Sequence, residues 1–429
     1  MNVINRLRSI NLKNGGLLSD SLWAVMGNGL GNFLLLAAGI VIARLLGKDL
    51  YGEYGMVKTT MFNIAAFSTF GLGYTSTKFV SEFIQKDKSY IKDIAKKSLL
   101  ITLISSTTLC VVLFIFAEQL ATFINAPELA TPFRFLGIIM ICRAMATTSG
   151  AICAGFKDFK NVGINNVLSG LSLLMFGFVL TYYNSVTGSL IALFLSQLII
   201  CVSNLLLVNK HIKNLPTESK RIETNLFRYS LPVALQELSY MVSTWGATLL
   251  LTKYASLGEV GIWTAAQQWN AIVLFIPGLL LNVVLAYLSG SIDTSQHESM
   301  LKKMLLINFL CALAPLLIVV LLSNFIVSMY GSTFVGMNVV LNTLLLSTIF
   351  MCLSNVLQSD FISLGKNWEL LLARFLRDAI LLISLFIAIK DNNVDAALKF
   401  AIINVVAYII YFLILCVLLK GVYKRMARE

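Results

Sequence analysis

The stretch LLGKDLYGEYG, Leu45 to Gly55, sits between two long apolar runs. Glycines at 47, 52 and 55 beside Lys48, Asp49 and Glu53 mark a tight turn at a membrane surface. Gly47 and Gly52 let the chain reverse, Tyr51 and Tyr54 suit the interface, and the three charges read as solvated. A weaker echo, SLGEVGIWTAAQQW, runs from Ser256 to Trp269. Shifting the sequence by 209 places Ser21-Leu22 on Ser230-Leu231 and Gly52-Glu53-Tyr54 on Gly261-Ile262-Trp263. Six spans separate the two copies, so both start on the same side and the repeat is parallel.

Working outward, the 429 residues are 58% hydrophobic and 13% charged, with a mean hydropathy of +0.82. That lies outside the range of soluble domains. A spanning helix takes about 20 apolar residues, and the chain supplies about twelve: near 20–43, 52–74, 97–117, 131–150, 161–181, 187–208, 227–250, 261–288, 303–323, 336–359, 369–389 and 398–419. The expected fold is an all-α polytopic membrane protein, with about 12 transmembrane helices in two six-helix bundles. A pseudo-two-fold axis along the membrane normal relates them. The expected units are an N-terminal lobe, 1–209, a basic cytoplasmic linker, 210–226, and a C-terminal lobe, 227–429. Span one lacks a cleavage site after a short apolar core, so it is expected to remain in place.

Lys and Arg divide 23 to 6 between the two sides of this plan, which sets both termini on the cytoplasmic side. The net charge of +12 therefore reflects topology; the basic residues cluster in short loops and no nucleic-acid partner is expected. The seven cysteines lie in or beside apolar segments without a CxxC pair, and read as small core hydrophobes. The two histidines, His211 and His297, fall in expected inner loops, so a His-based metal site or Ser-His dyad within the membrane has no parts. With no Walker sequence either, no cofactor is expected, and transport is expected to draw on an ion, the membrane potential or a substrate gradient.

Ionisable groups inside spans usually face a water-filled interior. Lys58, Arg143, Arg374 and Arg377 are the basic ones, and Glu237 and Asp378 the acidic ones; Asp360 lies so near the inner end of span ten that it reads as solvated. Arg374 and Asp378 stand four residues apart and suit an ion pair with one another. Asn28, Asn32, Asn63, Gln236, Gln267, Gln268 and Asn270 would furnish a cavity wall with amides, and Trp263 and Trp269 are rings on which sugars stack.

Ala43 to Phe83, ARLLGKDLYGEYGMVKTTMFNIAAFSTFGLGYTSTKFVSEF, resembles the opening of the bacterial O-antigen flippases called Wzx. There an A-R-x-L-G-x-x-x-Y-G-x-Y stretch follows span one, and a glycine-rich end of span two leads into a charged helix. GFKDFKNVGINNVLSG, Gly155 to Gly170, is similar to the inner turn between spans four and five of that family. The resemblance implies membership of the multidrug/oligosaccharidyl-lipid/polysaccharide exporter superfamily. It implies a flippase of the bacterial inner membrane, moving undecaprenyl-pyrophosphate-linked oligosaccharide from the cytoplasmic to the outer leaflet for O-antigen or related lipopolysaccharide assembly. A glycan polymerase and chain-length regulator would be partners. On that mechanism Arg143, Arg374, Arg377 and Lys58 meet pyrophosphate or anionic sugars, since guanidinium forks match phosphate oxygens. Gln267, Gln268 and Asn270 meet the glycan. Glu237, Asp378 and Asp360 are the candidates for a coupling proton or sodium ion. The alternative is a cation-coupled multidrug or small-molecule antiporter of the same superfamily. A membrane-bound polymerase or ligase fits poorly, because the longest outer loop is short and has no histidine.

Overall fold

A computed structural model of the protein describes residues 15–213, 215–216, 226–289, 294–391 and 394–426. The described residues form thirteen helices: α1 Gly15–Ser68, α2 Leu72–Lys86, α3 Ile91–Phe123, α4 Ala130–Gly155, α5 Phe159–Ile212, α6 Leu226–Tyr254, α7 Leu257–Val273, α8 Phe275–Ser289, α9 Thr294–Leu321, α10 Ser323–Tyr330, α11 Met337–Ser363, α12 Asn367–Lys390 and α13 Ala396–Met426. Two of them, α1 and α5, have 54 residues each. As straight helices they would run about 81 Å, against a hydrocarbon core of about 30 Å. Each is instead broken where the sequence places a turn. In α1 the break is Gly47, at φ 74°, ψ 171°, a conformation that glycine adopts without a Cβ clash. In α5 it falls at Asn184 and Ser185. Counting each half separately, and α7 with α8 as one segment bent by 50°, gives twelve helical segments in the expected order. The short helix α10 is an addition, whereas α2 stands where the resemblance implies a charged helix after span two. Helix α12 is too charged to pass as a span by composition, since Arg374, Arg377 and Asp378 sit in its first half; their charges are accommodated inside the bundle, as described below.

The Leu45–Gly55 stretch and its echo meet in space. A Cβ on Gly52 would overlap the carbonyl oxygen of Leu257, and one on Gly261 would overlap the carbonyl oxygen of Lys48. Leu257 is Lys48 advanced by 209, as Gly261 is Gly52. The contact is therefore reciprocal, residue for residue, which is what a two-fold axis between equivalent elements requires. A Cβ on Gly55 would press on Thr264, its own equivalent 209 positions later. Two hydrogen bonds flank this contact. Lys48 N–H donates to Thr333 Oγ1 at 3.2 Å, and Asn125 Nδ2 donates to the Lys253 carbonyl at 3.2 Å. Ser256 caps α7 through the Glu259 amide at 3.3 Å, while the Glu259 carboxylate accepts from the Ala397 amide at the start of α13 at 2.6 Å. A carboxylate there complements the positive end of the helix dipole.

Tyr51 and Tyr54 do not face the surroundings of the protein. Both are fully buried, because the close approach of α7 covers them, and Tyr51 accepts a hydrogen bond from Gln268. Around them one apolar core runs through both bundles, from Ile42 and Met56 to Ala265, Phe334 and Ala401. At the opposite end the core divides among the described residues: Val80, Ile91, Ile152 and Val208 in the first bundle, and Val284, Leu301, Phe361, Tyr411 and Leu415 in the second. The bundles are thus joined by a common core at the Gly47 end and carry separate cores at the other.

His211 and His297 also depart from expectation. Both belong to helices, and each is held by an aspartate. His211 ends α5, stacked on Phe156 at 4.6 Å, with Nε2 2.8 Å from Asp158. Asp158 caps α5 through the Asn161 amide. Burial works against its carboxylate, but hydrogen bonds from Asn161 and His211 outweigh it and hold the pKa below the ordinary value.

Replacing Gly52 by leucine puts a side chain where the Leu257 backbone lies, and a backbone cannot rotate away. Gly52→Leu is expected to lose at least the 1–3 kcal/mol typical of overpacking, roughly, and often the fold. Gly278→Ala, which would meet nothing within 4 Å, is the control. Thermal unfolding of both variants in detergent checks the contact; equal melting temperatures would contradict it.

Candidate functional site

Between the bundles, next to the glycine contact, lies a cavity of about 490 Å³. The second half of α1 contributes Lys58, Phe62 and Asn63, α4 contributes Arg143 and Thr147, α6 Thr244 and Thr248, α7 Trp263, Thr264, Gln267 and Gln268, and α13 Phe400. Lys58 and Gln267 are 209 apart, so equivalent positions of the two repeats face the same space. A smaller side pocket, lined by Asn32, Leu35, Leu36, Lys58, Gln268, Ala271 and Ile272 of α1 and α7, adjoins the cavity and shares Lys58, Gln268 and Ala271 with it.

Among the described residues the ionisable groups of the cavity wall are all cations. Lys58 and Arg143 line the cavity, and neither has a carboxylate partner among the described residues. Lys58 Nζ lies 5.7 Å from the Tyr54 ring centroid and the Arg143 guanidinium 4.6 Å from that of Phe62. Ring contacts stabilise a cation by about 0.5–2 kcal/mol but leave its N–H donors free for a ligand. The buried Gln268 Oε1 and Thr264 Oγ1 have no hydrogen-bond partner among the described residues, and both belong to cavity-lining residues; such groups ordinarily find one. Thr244 Oγ1 donates to Asn63 Oδ1 at 2.6 Å, which fixes the amide from the other bundle.

Of the residues singled out in the sequence, Lys58, Arg143, Gln267 and Gln268 come together here. Asn270 points away and is buried; its Nδ2 donates to Gln267 Oε1 at 3.2 Å, so it supports the wall from behind. Trp263 lines the cavity but is stacked on Phe400 at 3.7 Å. Trp269 instead donates from Nε1 to Tyr330 Oη at 3.0 Å and offers no free platform. Glu237 lies within α6, and its side chain is outside the described residues, as is that of Gln236.

Arg374, Arg377 and Asp378 do not reach the cavity. They lie within the second bundle, and the ion pair there is not the four-apart pair expected. Arg377 bridges to the adjacent Asp378, with Nε to Oδ1 at 2.9 Å, and donates to Tyr408 Oη at 3.2 Å. Its guanidinium is 4.9 and 5.1 Å from the centroids of Tyr408 and Tyr411, and Ser239 donates to Asp378 Oδ2 at 2.8 Å. Arg374 reaches Gln358 at 3.4 Å. Asp360, expected in solvent, is fully buried, because the ends of α9 and α13 close over it: His297 Nε2 lies at 2.6 Å and Tyr423 donates at 2.7 Å. Asp360 and Asp378 thus have both oxygens engaged by protein groups. Sequence reading missed the threonines at 147, 244, 248 and 264; the only available signal was the i,i+4 run Thr244, Thr248, Thr252, whose last two hydroxyls bond back to the carbonyls four residues earlier.

Comparison with known proteins places these observations. A family model described as "Polysaccharide biosynthesis protein" matches residues 17–289. The succinoglycan biosynthesis transport protein ExoT of Rhizobium meliloti (strain 1021) is 20% identical over 259 residues, covering 60% of this chain and 50% of that protein. The chain spans about half the length of the curated relatives it matches. Among solved structures, an inward-facing multidrug resistance MATE family transporter of the MOP superfamily superposes with a TM-score of 0.76 at 17% identity, covering 92% of this chain and 96% of that one. The lipid II flippase MurJ, in an inward closed conformation, gives 0.75 at 14% identity, covering 93% and 87%. These likenesses show the two-lobed, twelve-helix fold.

Arg377→Met leaves the buried Asp378 without its cation and is expected to cost about 3–5 kcal/mol. Arg377→Met combined with Asp378→Leu is expected to recover most of that, because both charges then leave the bundle. Thermal unfolding of the single and double variants decides; equal losses would show that the pair is not a closed unit.

Proposed function

The chain belongs to the polysaccharide biosynthesis protein family, a family of membrane transporters and not of enzymes, and from that premise we propose that it flips a polyprenyl-pyrophosphate-linked oligosaccharide across the membrane. The substrate is the undecaprenyl-pyrophosphate form of a surface-polysaccharide repeat unit, moved from the cytoplasmic to the outer leaflet of the bacterial inner membrane. The observation that carries this reading is the sign of the cavity. Two cations without a carboxylate partner among the described residues, Lys58 and Arg143, face a space walled by amides and threonines. A pyrophosphate and a glycan lose their water on entering a bilayer, at a cost of several kcal/mol per polar group unless replaced; lysine, arginine and amide donors replace it. A cationic drug meets repulsion in the same place.

The geometry suggests how the parts divide. Lys58 and Arg143 hold the pyrophosphate, with arginine offering the paired donors that suit phosphate oxygens. Gln267, Gln268 and Asn63 meet sugar hydroxyls. The side pocket past Leu35, Leu36 and Ile272 leads the polyprenyl chain toward lipid, so that only the polar head crosses inside the protein. With both termini cytoplasmic, as the lysine and arginine distribution argues, the Gly47 end faces the outer leaflet. Its shared core closes the cavity on that side, and the separate cores of the opposite end leave room for entry from the cytoplasm. Transport then requires the glycine contact to part as the bundles rock. The lobes in this scheme are 1–209 and 227–429, with 210–226 as the tether, and a polymerase on the outer leaflet consumes the product.

Deleting the gene and restoring it with Lys58→Gln, Arg143→Gln or both tests the reading. Each single variant is expected to lower glycan export roughly ten- to a hundredfold, the scale of one charge-assisted hydrogen bond to phosphate at about 1.5–3 kcal/mol. The double variant is expected to abolish export at normal protein levels, with lipid-linked oligosaccharide accumulating on the cytoplasmic leaflet. Normal export by the double variant, or drug sensitivity with unaltered glycan in the deletion, contradicts it and favours a multidrug antiporter.

A further inference from the structure

A second feature lies at the Gly47 end, on the outside of the crease between the bundles. A groove of about 280 Å³ is lined by Val242, Gly246, Leu250 and Leu382 of the second bundle and Phe123 of the first, with Lys253 at one end. It shares no lining residue with the interbundle cavity. Val242 and Phe123 are exposed, so the groove opens to the surroundings of the helices, which in a multi-pass membrane protein are hydrocarbon. Along α6 the distance from Val242 to Lys253 is about 16 Å by helical rise, close to half of the roughly 30 Å hydrocarbon core. The floor is therefore as long as one leaflet is deep, apolar throughout and cationic only where α6 ends.

Lys253 has no carboxylate partner among the described residues. Its Nζ lies 3.6 Å from the centroid of the Phe123 ring and 5.7 Å from that of Tyr254. These contacts position the ammonium group and leave its donors for an anion. Gly246 keeps the groove open: a Cβ there already meets Leu382 at 3.5 Å.

We propose that this groove binds one anionic glycerophospholipid of the leaflet at the Gly47 end, an acyl chain lying along α6 between Phe123 and Leu382 and the phosphodiester resting on Lys253. One lysine matches the single charge of a phosphodiester, whereas a pyrophosphate carries more charge than this site neutralises. The lipid touches both bundles, since Phe123 belongs to the first and α6 and α12 to the second. It sits beside the Asn125 to Lys253 hydrogen bond that links them. A ligand that contacts both bundles only while they are joined favours the joined arrangement. The site does not depend on the identity of the transported substrate.

The test uses the full chain in phosphatidylethanolamine nanodiscs, with a phosphatidylglycerol probe carrying a photoreactive diazirine in one acyl chain. Mass spectrometry then quantifies labelling of the segment from residue 242 to 253. Wild type is expected to be labelled there. Lys253→Gln is expected to lower labelling about fivefold, the weight of one lysine against an anionic lipid surface, while Lys253→Arg retains it. A phosphatidylethanolamine probe is expected to label no better than the phosphatidylglycerol probe does in Lys253→Gln. Equal labelling by the two probes in wild type, or no loss in Lys253→Gln, would make the groove a resting place for bulk lipid and overturn the proposal. Stronger competition by unlabelled undecaprenyl pyrophosphate than by phosphatidylglycerol would assign it to the transported lipid and overturn it as well.

Discussion

Everything in this molecule hangs on backbone meeting backbone between Gly52 and Gly261. Two helices can approach that closely only where neither carries a Cβ, and the mutual overlap of Gly52 with the Leu257 carbonyl and Gly261 with that of Lys48 fixes both their separation and their two-fold relation. From that point the arrangement follows in order. The tyrosines at 51 and 54 are covered, the apolar cores of the two bundles fuse around them, and the hydrogen bonds to Thr333 and from Asn125 brace the two sides. Further along the same helices, where Lys58 and Gln267 replace glycine and small residues, the faces part and a cavity forms.

The protein houses positive charge among its helices in two opposite ways. Arg377 is enclosed by Asp378, Tyr408 and Tyr411, so its desolvation is offset within the protein and each of its three nitrogens is engaged. Lys58 and Arg143 have rings for neighbours and a cavity in front of them. Both are half-buried, and with no carboxylate beside them among the described residues their solvation falls to water or an anion in the cavity. That difference, and not the mere presence of arginine in a span, separates a closed ion pair from the open cations that we propose as a binding site.

Sequence alone made much of this legible. The twelve spans follow from hydropathy, and the repeat at 209 from the two glycine-containing turns, because span length and turn chemistry are local properties. Position along a helix was legible for most of the charged residues, but direction around the helix axis was not. Arg143 and Arg377 look alike in the sequence, and only the neighbours supplied by other helices tell them apart. The pairing of Arg377 with Asp378 was missed for a physical reason: adjacent residues on a helix point about 100° apart and do not ordinarily meet. Here a long guanidinium, held by two tyrosines of α13, bends back to its neighbour. Asp360 and the two histidines were misplaced because a residue near the end of a span looks solvated until another helix end closes over it. The threonines of the cavity wall gave little signal, since threonine is common in helices that pack.

The most direct measurement is made on the purified chain in sealed vesicles that carry a fluorescent undecaprenyl-pyrophosphate oligosaccharide in both leaflets. A membrane-impermeant reductant added outside bleaches whatever it can reach. A flippase predicts that bleaching continues past the outer-leaflet fraction until nearly all the fluorescence is gone, while protein-free vesicles stop at that fraction. Bleaching that halts at the outer-leaflet fraction with and without the protein, in vesicles where it is folded and correctly inserted, would contradict the flippase assignment.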